Sequence, residues 1–324
     1  MIELIKRLMT TPSVSGREDK IREVIIQEIT PYADSIDVDN VGNIIARKKG
    51  KGKKIMLCAH MDEIGFFVTF IDKNGFIRVS PVGGINPTAS AFCEVVSENG
   101  VYGVLVPEKS DEKLKVESMY IDIGAKNQKQ AESKVKLGDF FVVKPSLRKL
   151  MNKRYVGRPF DDRIGCAILI EAIKQVKSEN DLYFVFSTQE EVGSRGAKPA
   201  AYTVSADIGI AFDVTGEASK PGSKPMEVKL GKGCAIKIKD ASVICSPQLV
   251  KKMRDIAEDK RIKYQNELLP YGGTDTSVMQ VAGRGSQVGA ISIPSAYIHS
   301  GCEMIDMGDV YEAVKLTVEL ANQL

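Results

Sequence analysis

The sequence predicts an α/β fold, a mixed and mostly parallel sheet flanked by helices, into which a small β-barrel-like unit is inserted. Three observations carry this expectation. Apolar runs alternate with helix-period segments toward both ends of the chain, the rhythm of a sheet covered on both faces. Two of these runs, residues 182–187 and 208–212, are almost continuously apolar, as strands buried on both faces are. Between about residues 67 and 154 the texture changes to short strands joined by tight turns. Asn74-Gly75 and Asn99-Gly100 each stand between apolar runs there, and both residue types tolerate the positive φ that a tight hairpin needs. The expected organisation is a discontinuous domain of residues 1–66 and 155–324, interrupted by an all-β insertion over 67–154.

Each element follows from local pattern. The first residues mix charge with an apolar stripe and read as a helix that ends at Thr10-Thr11-Pro12. Ser15 and Glu18 have the spacing of a capping box, which predicts a second helix with Ile21, Val24, Ile25 and Ile29 on one face. Residues 35–39, 43–48 and 54–59 are short β-branched runs separated by Asn40-Val41-Gly42 and Gly50-Lys51-Gly52, and so read as strands. His60 terminates the most apolar of them. Inside the insertion, strands are expected over 66–71, 76–79, 93–96, 101–106 and 137–144, with one helical pattern near 128–135. Beyond it, Ile164, Ala167, Ile168, Ala172 and Val176 lie on one face of a helix over 163–176. A helix opens at Ser246-Pro247, strands are expected at 289–293 and 295–298, and residues 308–324 close the chain as a helix with Val310, Ala313, Val314 and Ala321 inward.

Composition excludes several classes of function. The 324 residues carry 45 basic and 42 acidic side chains, a net charge of +3 with the two signs interleaved, so no nucleic-acid face is expected. The basic stretch 47–54 reads as a solvated loop between strands. No apolar run approaches the ~20 residues that span a bilayer. Six scattered cysteines form no C-x-x-C pair and no dense framework, which suits reduced thiols in a cytoplasmic setting. The N-terminus lacks the apolar core of a secretory signal.

The chemistry is expected at strand ends. The chain has two histidines, His60 and His299, each beside acidic residues after an apolar run. Glu190-Glu191 and Asp213 also follow such runs, and Asp161-Asp162 precede a helix. In open α/β sheets ligands collect outside the carboxyl ends of the strands. Imidazole and carboxylate together suit Zn²⁺, Co²⁺ or Mn²⁺; one carboxylate can bridge two ions while another stays free as a base. Asp62, two residues from His60, is placed to accept the second imidazole N–H and fix its tautomer. Taken singly, these features also suit helix starts and loop openers. Together they put several carboxylates beside buried strands, a costly arrangement unless a positive charge compensates them.

Ala59-His60-Met61-Asp62-Glu63-Ile64-Gly65, Gly157-Arg158-Pro159-Phe160-Asp161-Asp162-Arg163, Gln189-Glu190-Glu191-Val192-Gly193, Phe212-Asp213, Gly272-Gly273-Thr274-Asp275 and Tyr297-Ile298-His299-Ser300 carry a specific similarity. In this order, over nearly the whole chain, they resemble the dinuclear-metal aminopeptidases that include the TET, glutamyl and deblocking enzymes, some of which bear the label endoglucanase. The resemblance implies a zinc-peptidase-like sheet and two divalent ions per subunit. His60 and Asp213 would serve one ion, Glu191 and His299 the other, with Asp161 bridging and Glu190 as general base. It further implies peptide substrates with a free N-terminus, and assembly through the insertion into a homo-oligomer between dimer and dodecamer. The chain departs from the pattern at Ala296-Tyr297, at Gly301-Cys302-Glu303-Met304 and at Gly233-Cys234, none of them an implied ligand. Cys302 is expected to pack rather than to bind metal, and Asp275 to shape a turn rather than to border the pocket. The rival readings are a dinuclear deacylase or amidohydrolase with the same site, a glycoside hydrolase, which leaves both histidines unexplained, and a non-catalytic peptide-binding scaffold, which gives no reason for a surplus Glu190.

Overall fold

A computed structural model describes residues 1–109, 114–223 and 225–324. Helices α1 (Ile2–Met9) and α2 (Asp19–Ile29) lead into strands β1 (Ser35–Val38), β2 (Ile44–Lys48) and β3 (Lys54–His60). There follow β4 (Gly65–Ile71), β5 (Ile77–Val82), the single turn α3 (Pro87–Ser90), β6 (Glu94–Ser97), β7 (Tyr102–Pro107), β8 (Met119–Asp122), α4 (Gln128–Glu132) and β9 (Phe140–Val143). The remainder comprises β10 (Ser146–Lys149), β11 (Arg154–Arg158), α5 (Arg163–Gln175), β12 (Asp181–Ser187), α6 (Ala197–Val204), β13 (Ile208–Gly216), β14 (Cys234–Lys239), α7 (Pro247–Asp259), β15 (Tyr264–Leu268), α8 (Thr276–Val281), β16 (Gln287–Ala296), β17 (Glu303–Asp306) and α9 (Met307–Gln323).

Among the described residues the large sheet has eleven strands in the order β1-β2-β12-β3-β13-β16-β17-β11-β10, with β14 joined to β16 and β15 to β14. Its centre, β12-β3-β13-β16, is parallel. That is the consequence of near-complete burial: β3 and β12 expose almost nothing to either side. Helices α1, α5, α7 and α9 cover one face, whereas α6 and α8 cover the other. Ile164, Ala167, Ile168 and Ala172 of α5 are wholly buried against the sheet, and each large aliphatic side chain buried this way contributes roughly 1.5–3 kcal/mol.

Register places the chemistry. Ser187 of β12 pairs with His60 of β3, and Ala211 of β13 pairs with Cys58, so two residues further on Asp213 arrives level with His60. Strands β3 and β12 thus finish together at one edge, while β13 and β16 run on past them with Asp213 at the same level.

The inserted unit is a closed barrel, β4-β5-β8-β7-β6-β9, packed around Phe66, Val68, Ile77, Leu105, Ile121 and Phe141. Closure removes the free edges that such short strands would otherwise expose. Gly75 and Gly100 take φ of 92° and 78° at two of its turns, as their Asn-Gly pairs predict. Strand β10, which lies within the expected insertion of 67–154, pairs with β11 and extends the large sheet instead.

Two local expectations are corrected. Ser15 and Glu18 do not form a capping box, because α2 begins at Asp19 without a side-chain cap and both residues turn toward the strand ends. Residues 289–293 and 295–298 are not separate strands. Residues 289–296 fall in one strand, β16, which runs through Pro294 to Ala296 and leaves Tyr297, Ile298 and His299 in the following turn.

One buried polar cluster had no sequence signal. Lys237 on β14 is 1% exposed and lies 2.7 Å from Glu267 Oε1 and 3.1 Å from Asp240 Oδ2. Burial alone would pull its ammonium pKa down, but the two carboxylates hold it above its usual range. Lys237→Met is expected to cost about 3–5 kcal/mol, because it leaves two buried carboxylates unpaired. Urea unfolding checks this, and an unchanged midpoint would refute the pairing.

Candidate metal centre

The helix α5 starts where the chain must deliver an acidic group to the strand ends. Asp162 caps it, accepting the Gly165 N–H at 3.0 Å, and the preceding Asp161 is left to face His60. The Asp161 backbone is itself held, since Glu303 at the start of β17 accepts the N–H groups of Phe160 and Asp161 at 2.6 and 3.2 Å. Arg163 is fully buried and donates to the carbonyls of Leu8 and Thr11, with Glu63 at 3.3 Å, which fixes the end of α1 beneath the same edge.

Two clusters result, sharing one residue. His60, Asp161 and Asp213 bring ligand atoms within 4.8 Å of one another, as do Asp161, Glu191 and His299. The division of Asp161 between them is explicit. Its Oδ1 lies 3.1 Å from His60 Nε2 and its Oδ2 3.2 Å from His299 Nε2. Asp213 Oδ1 is 4.0 Å from His60 Nε2, and Glu191 Oε2 is 3.2 Å from His299 Nε2. His299 reaches this position from a turn in which both it and Tyr297 take positive φ, 59° and 62°. Gly84, in the loop after β5, lies beside its ring, where a β-carbon would come 3.0 Å from His299 Nδ1.

Asp62 does more than the sequence predicts. Its backbone carbonyl lies 3.1 Å from His60 Nδ1, closer than its carboxylate at 3.4 Å, so the main chain shares in orienting the ring. The carboxylate accepts the N–H groups of Glu190 and Glu191 at 3.0 and 3.2 Å and the Ser15 hydroxyl at 2.7 Å. Glu18 takes the Gln189 N–H at 3.1 Å. The turn that carries Glu190-Glu191 is therefore clamped from below by two carboxylates. The bonds to the ionised Asp62 carboxylate contribute roughly 1.5–3 kcal/mol each, whereas burial and Asp62 push Glu18 up to about 7 and leave it partly protonated near neutrality. The spacing of Ser15 and Glu18 fits a helix cap equally well, and no sequence signal separates the two roles.

The electrostatics show a deficit of positive charge. Burial raises the carboxyl pKa of Asp213 and Glu190 well above their usual range, with neighbouring acids adding to the effect. Burial and Asp161 raise Glu191 in the same way. Burial opposes charge on His299 as well, yet Asp161 and Glu191 push it up to about 11. Glu191 Oε1 and Asp162 Oδ2 are buried without a hydrogen-bond partner. Imidazole nitrogens and carboxylate oxygens gathered around a shared carboxylate, with negative charge in surplus, fit two divalent cations in both donor type and charge.

Beside the clusters opens a cavity of about 760 Å³. Asp161, Glu190, Glu191, Asp213 and His299 form one side of it, and Val214, Thr215, Leu269, Tyr271 and Val278 are among the residues of the rest. Glu190 lines the cavity but belongs to neither cluster. Asp275 does not line it. It is buried beneath the strand ends, where Ser187 donates to its Oδ2 and Cys58 Sγ lies 3.4 Å away.

The family model for M42 glutamyl aminopeptidases matches residues 42–316. The chain belongs to this family. It is accordingly a metal-dependent aminopeptidase, a hydrolase of peptide bonds. The M42 chain is 36% identical to the lysyl aminopeptidase of Pyrococcus furiosus, over 99% of this chain and 97% of that one. Among solved structures it matches aminopeptidase APDkam598 of Desulfurococcus kamchatkensis at 35% identity and a TM-score of 0.96, covering 100% of this chain and 94% of the other. It also matches the TET1 peptidase of Pyrococcus horikoshii, whose assembly into a tetrahedron or a large octahedral shell is described, at 38% identity and a TM-score of 0.89, with coverage of 100% and 99%. No helix among the described residues is long and apolar enough to cross a membrane.

Proposed function

We propose that this aminopeptidase works through two divalent metal ions, one held by His60, Asp161 and Asp213 and the other by Asp161, Glu191 and His299. The observation that carries the reading is the placement of the two Asp161 oxygens, each against a different imidazole. When bound, such cations polarise the scissile carbonyl and lower the pKa of a water toward neutrality. The protein's own part is proton movement and alignment. Glu190 takes the proton of the attacking water and returns it to the leaving amine, a role supported by its place on the cavity wall outside both ligand sets. The Ser194 hydroxyl, 3.4 Å from Glu190 Oε1, and the Asp62 clamp on the Glu190 amide hold that carboxylate in place. Dialysis against a chelator is expected to abolish hydrolysis of an aminoacyl anilide, and Zn²⁺, Co²⁺ or Mn²⁺ to restore it. The N-acetylated peptide should resist cleavage throughout. Undiminished hydrolysis after chelation would sink the proposal.

The chain is also inferred to act as a homo-oligomer. Phe70, Phe92, Tyr102 and Leu137, all on the barrel or its loops, are 58%, 71%, 62% and 73% exposed, apolar side chains that a subunit contact would cover. The shell described for the TET1 relative supports the same reading. Light scattering behind size-exclusion chromatography should give a mass of several subunits; a monomer at micromolar concentration would contradict it.

A further inference from the structure

Cys93 precedes β6 on the barrel, and Cys302 precedes β17 in the loop that follows His299. The two segments are in direct contact. The Gly301 N–H donates to the Ala89 carbonyl at 3.2 Å, and a β-carbon built on Gly301 would sit 2.4 Å from the Cys93 sulfur. The loop backbone thus lies on that sulfur, one residue short of Cys302. Cys302 begins one step of about 3.8 Å along the chain from that contact, and a disulfide forms once the two α-carbons come within roughly 4.4–6.8 Å. Cys302 is exposed and Cys93 half-buried, whereas the other four cysteines are buried. Burial raises the Cys93 thiol pKa, Arg158 lowers it and Cys302 raises it.

We propose that Cys93 and Cys302 are a dithiol site for low-molecular-weight disulfides, and that the bond they form ties the barrel to the His299 loop and slows the enzyme. The exposed Cys302 thiolate attacks one sulfur of a disulfide such as oxidised glutathione, forming a mixed disulfide and releasing one glutathione thiolate. The Cys93 thiolate then attacks the Cys302 sulfur and expels the second glutathione. Both electrons leave with the two glutathione thiols, and both protons pass to solvent or to those thiolates. The mechanical consequence follows from the loop. Arg158 donates to the Ser300 carbonyl at 2.6 Å, and Gly84, in the loop after β5, lies beside the His299 ring, so a covalent pull at residue 302 acts on a segment that carries the imidazole between fixed neighbours. The linkage stands independently of the metal assignment, and its effect on rate rests on His299 as a ligand.

The test treats the reduced holoenzyme with oxidised glutathione under native conditions, blocks residual thiols, and maps peptides without reduction. The expected product lacks two hydrogens, carries no glutathione, and yields a Cys93–Cys302 linked peptide. Turnover should fall about 10–100-fold, the scale of misorienting a metal-ligating imidazole, and dithiothreitol should restore it. Cys93→Ser and Cys302→Ser should begin at the activity of the parent enzyme and keep it under oxidant. A stable glutathione adduct on Cys302 without the linked peptide would overturn the proposal, and so would a fully linked enzyme of undiminished activity. In the second case the metal content of His299→Ala separates the causes. A variant that has lost one equivalent convicts the switch, and one that retains both convicts the ligand assignment.

Discussion

Glu190→Gln is expected to lower kcat by about 10²–10⁴-fold, the usual contribution of a positioned general base, while the metal content stays that of the parent enzyme. Glu190 lines the cavity and stands outside both ligand clusters, so the amide removes a proton acceptor without removing a ligand. KM should change little, because the amide occupies the same space. Asp62→Ala provides the contrast. It leaves Glu190 chemically intact but deprives the amides of Glu190 and Glu191 of their shared acceptor, and so should cost a smaller factor of about 10–100. Steady-state kinetics with elemental analysis of each variant decides the matter. A Glu190→Gln enzyme with parental turnover would exclude this glutamate as the base.

Asp161→Ala is expected to be the most damaging change to metal binding. Its two oxygens lie against the two imidazoles, and no other residue belongs to both clusters. His60→Ala or His299→Ala should weaken one ion each, whereas Asp161→Ala should weaken both and reduce turnover at least about 100-fold, beyond the loss of a partner that merely orients a ligand. Thermal stability should show the same order. Ions that bind only the folded chain stabilise it by RT ln(1 + [L]/Kd), roughly 2.7 kcal/mol at a free concentration one hundred times Kd, so the Asp161 variant should gain least from added metal. A variant with two tightly held equivalents would contradict the bridging role.

Much of this was legible before the fold was. Continuous apolar runs predicted β3 and β12, and period-3.6 patterns predicted α5 and α9, because these elements are long and their burial is complete or one-sided. The parallel centre then forces His60 and Asp213 to the same edge through register alone. Elements set by tertiary contact were not legible. Strands β8, β10 and β17 are four residues each, too short to establish a period, and α6 carries Pro199 within it. The supporting residues were hidden for a related reason. Ser15 and Glu18 satisfy a local capping pattern, yet they serve Asp62 and Gln189, distant in the chain; spacing cannot reveal a partner brought in by folding. Likewise the Lys237 cluster joins β14 to β15 across sequence with no motif at all.

The central claim is that one carboxylate joins two metal sites to make an aminopeptidase. Stepwise metal titration of the chelated enzyme, with bound equivalents and hydrolysis of an unblocked aminoacyl anilide measured together, tests it most directly. Two equivalents per chain are expected in the parent enzyme, with activity that appears only as they bind, and one equivalent in His60→Ala and in His299→Ala. Full hydrolysis at zero equivalents, or two equivalents retained in both histidine variants, would contradict it.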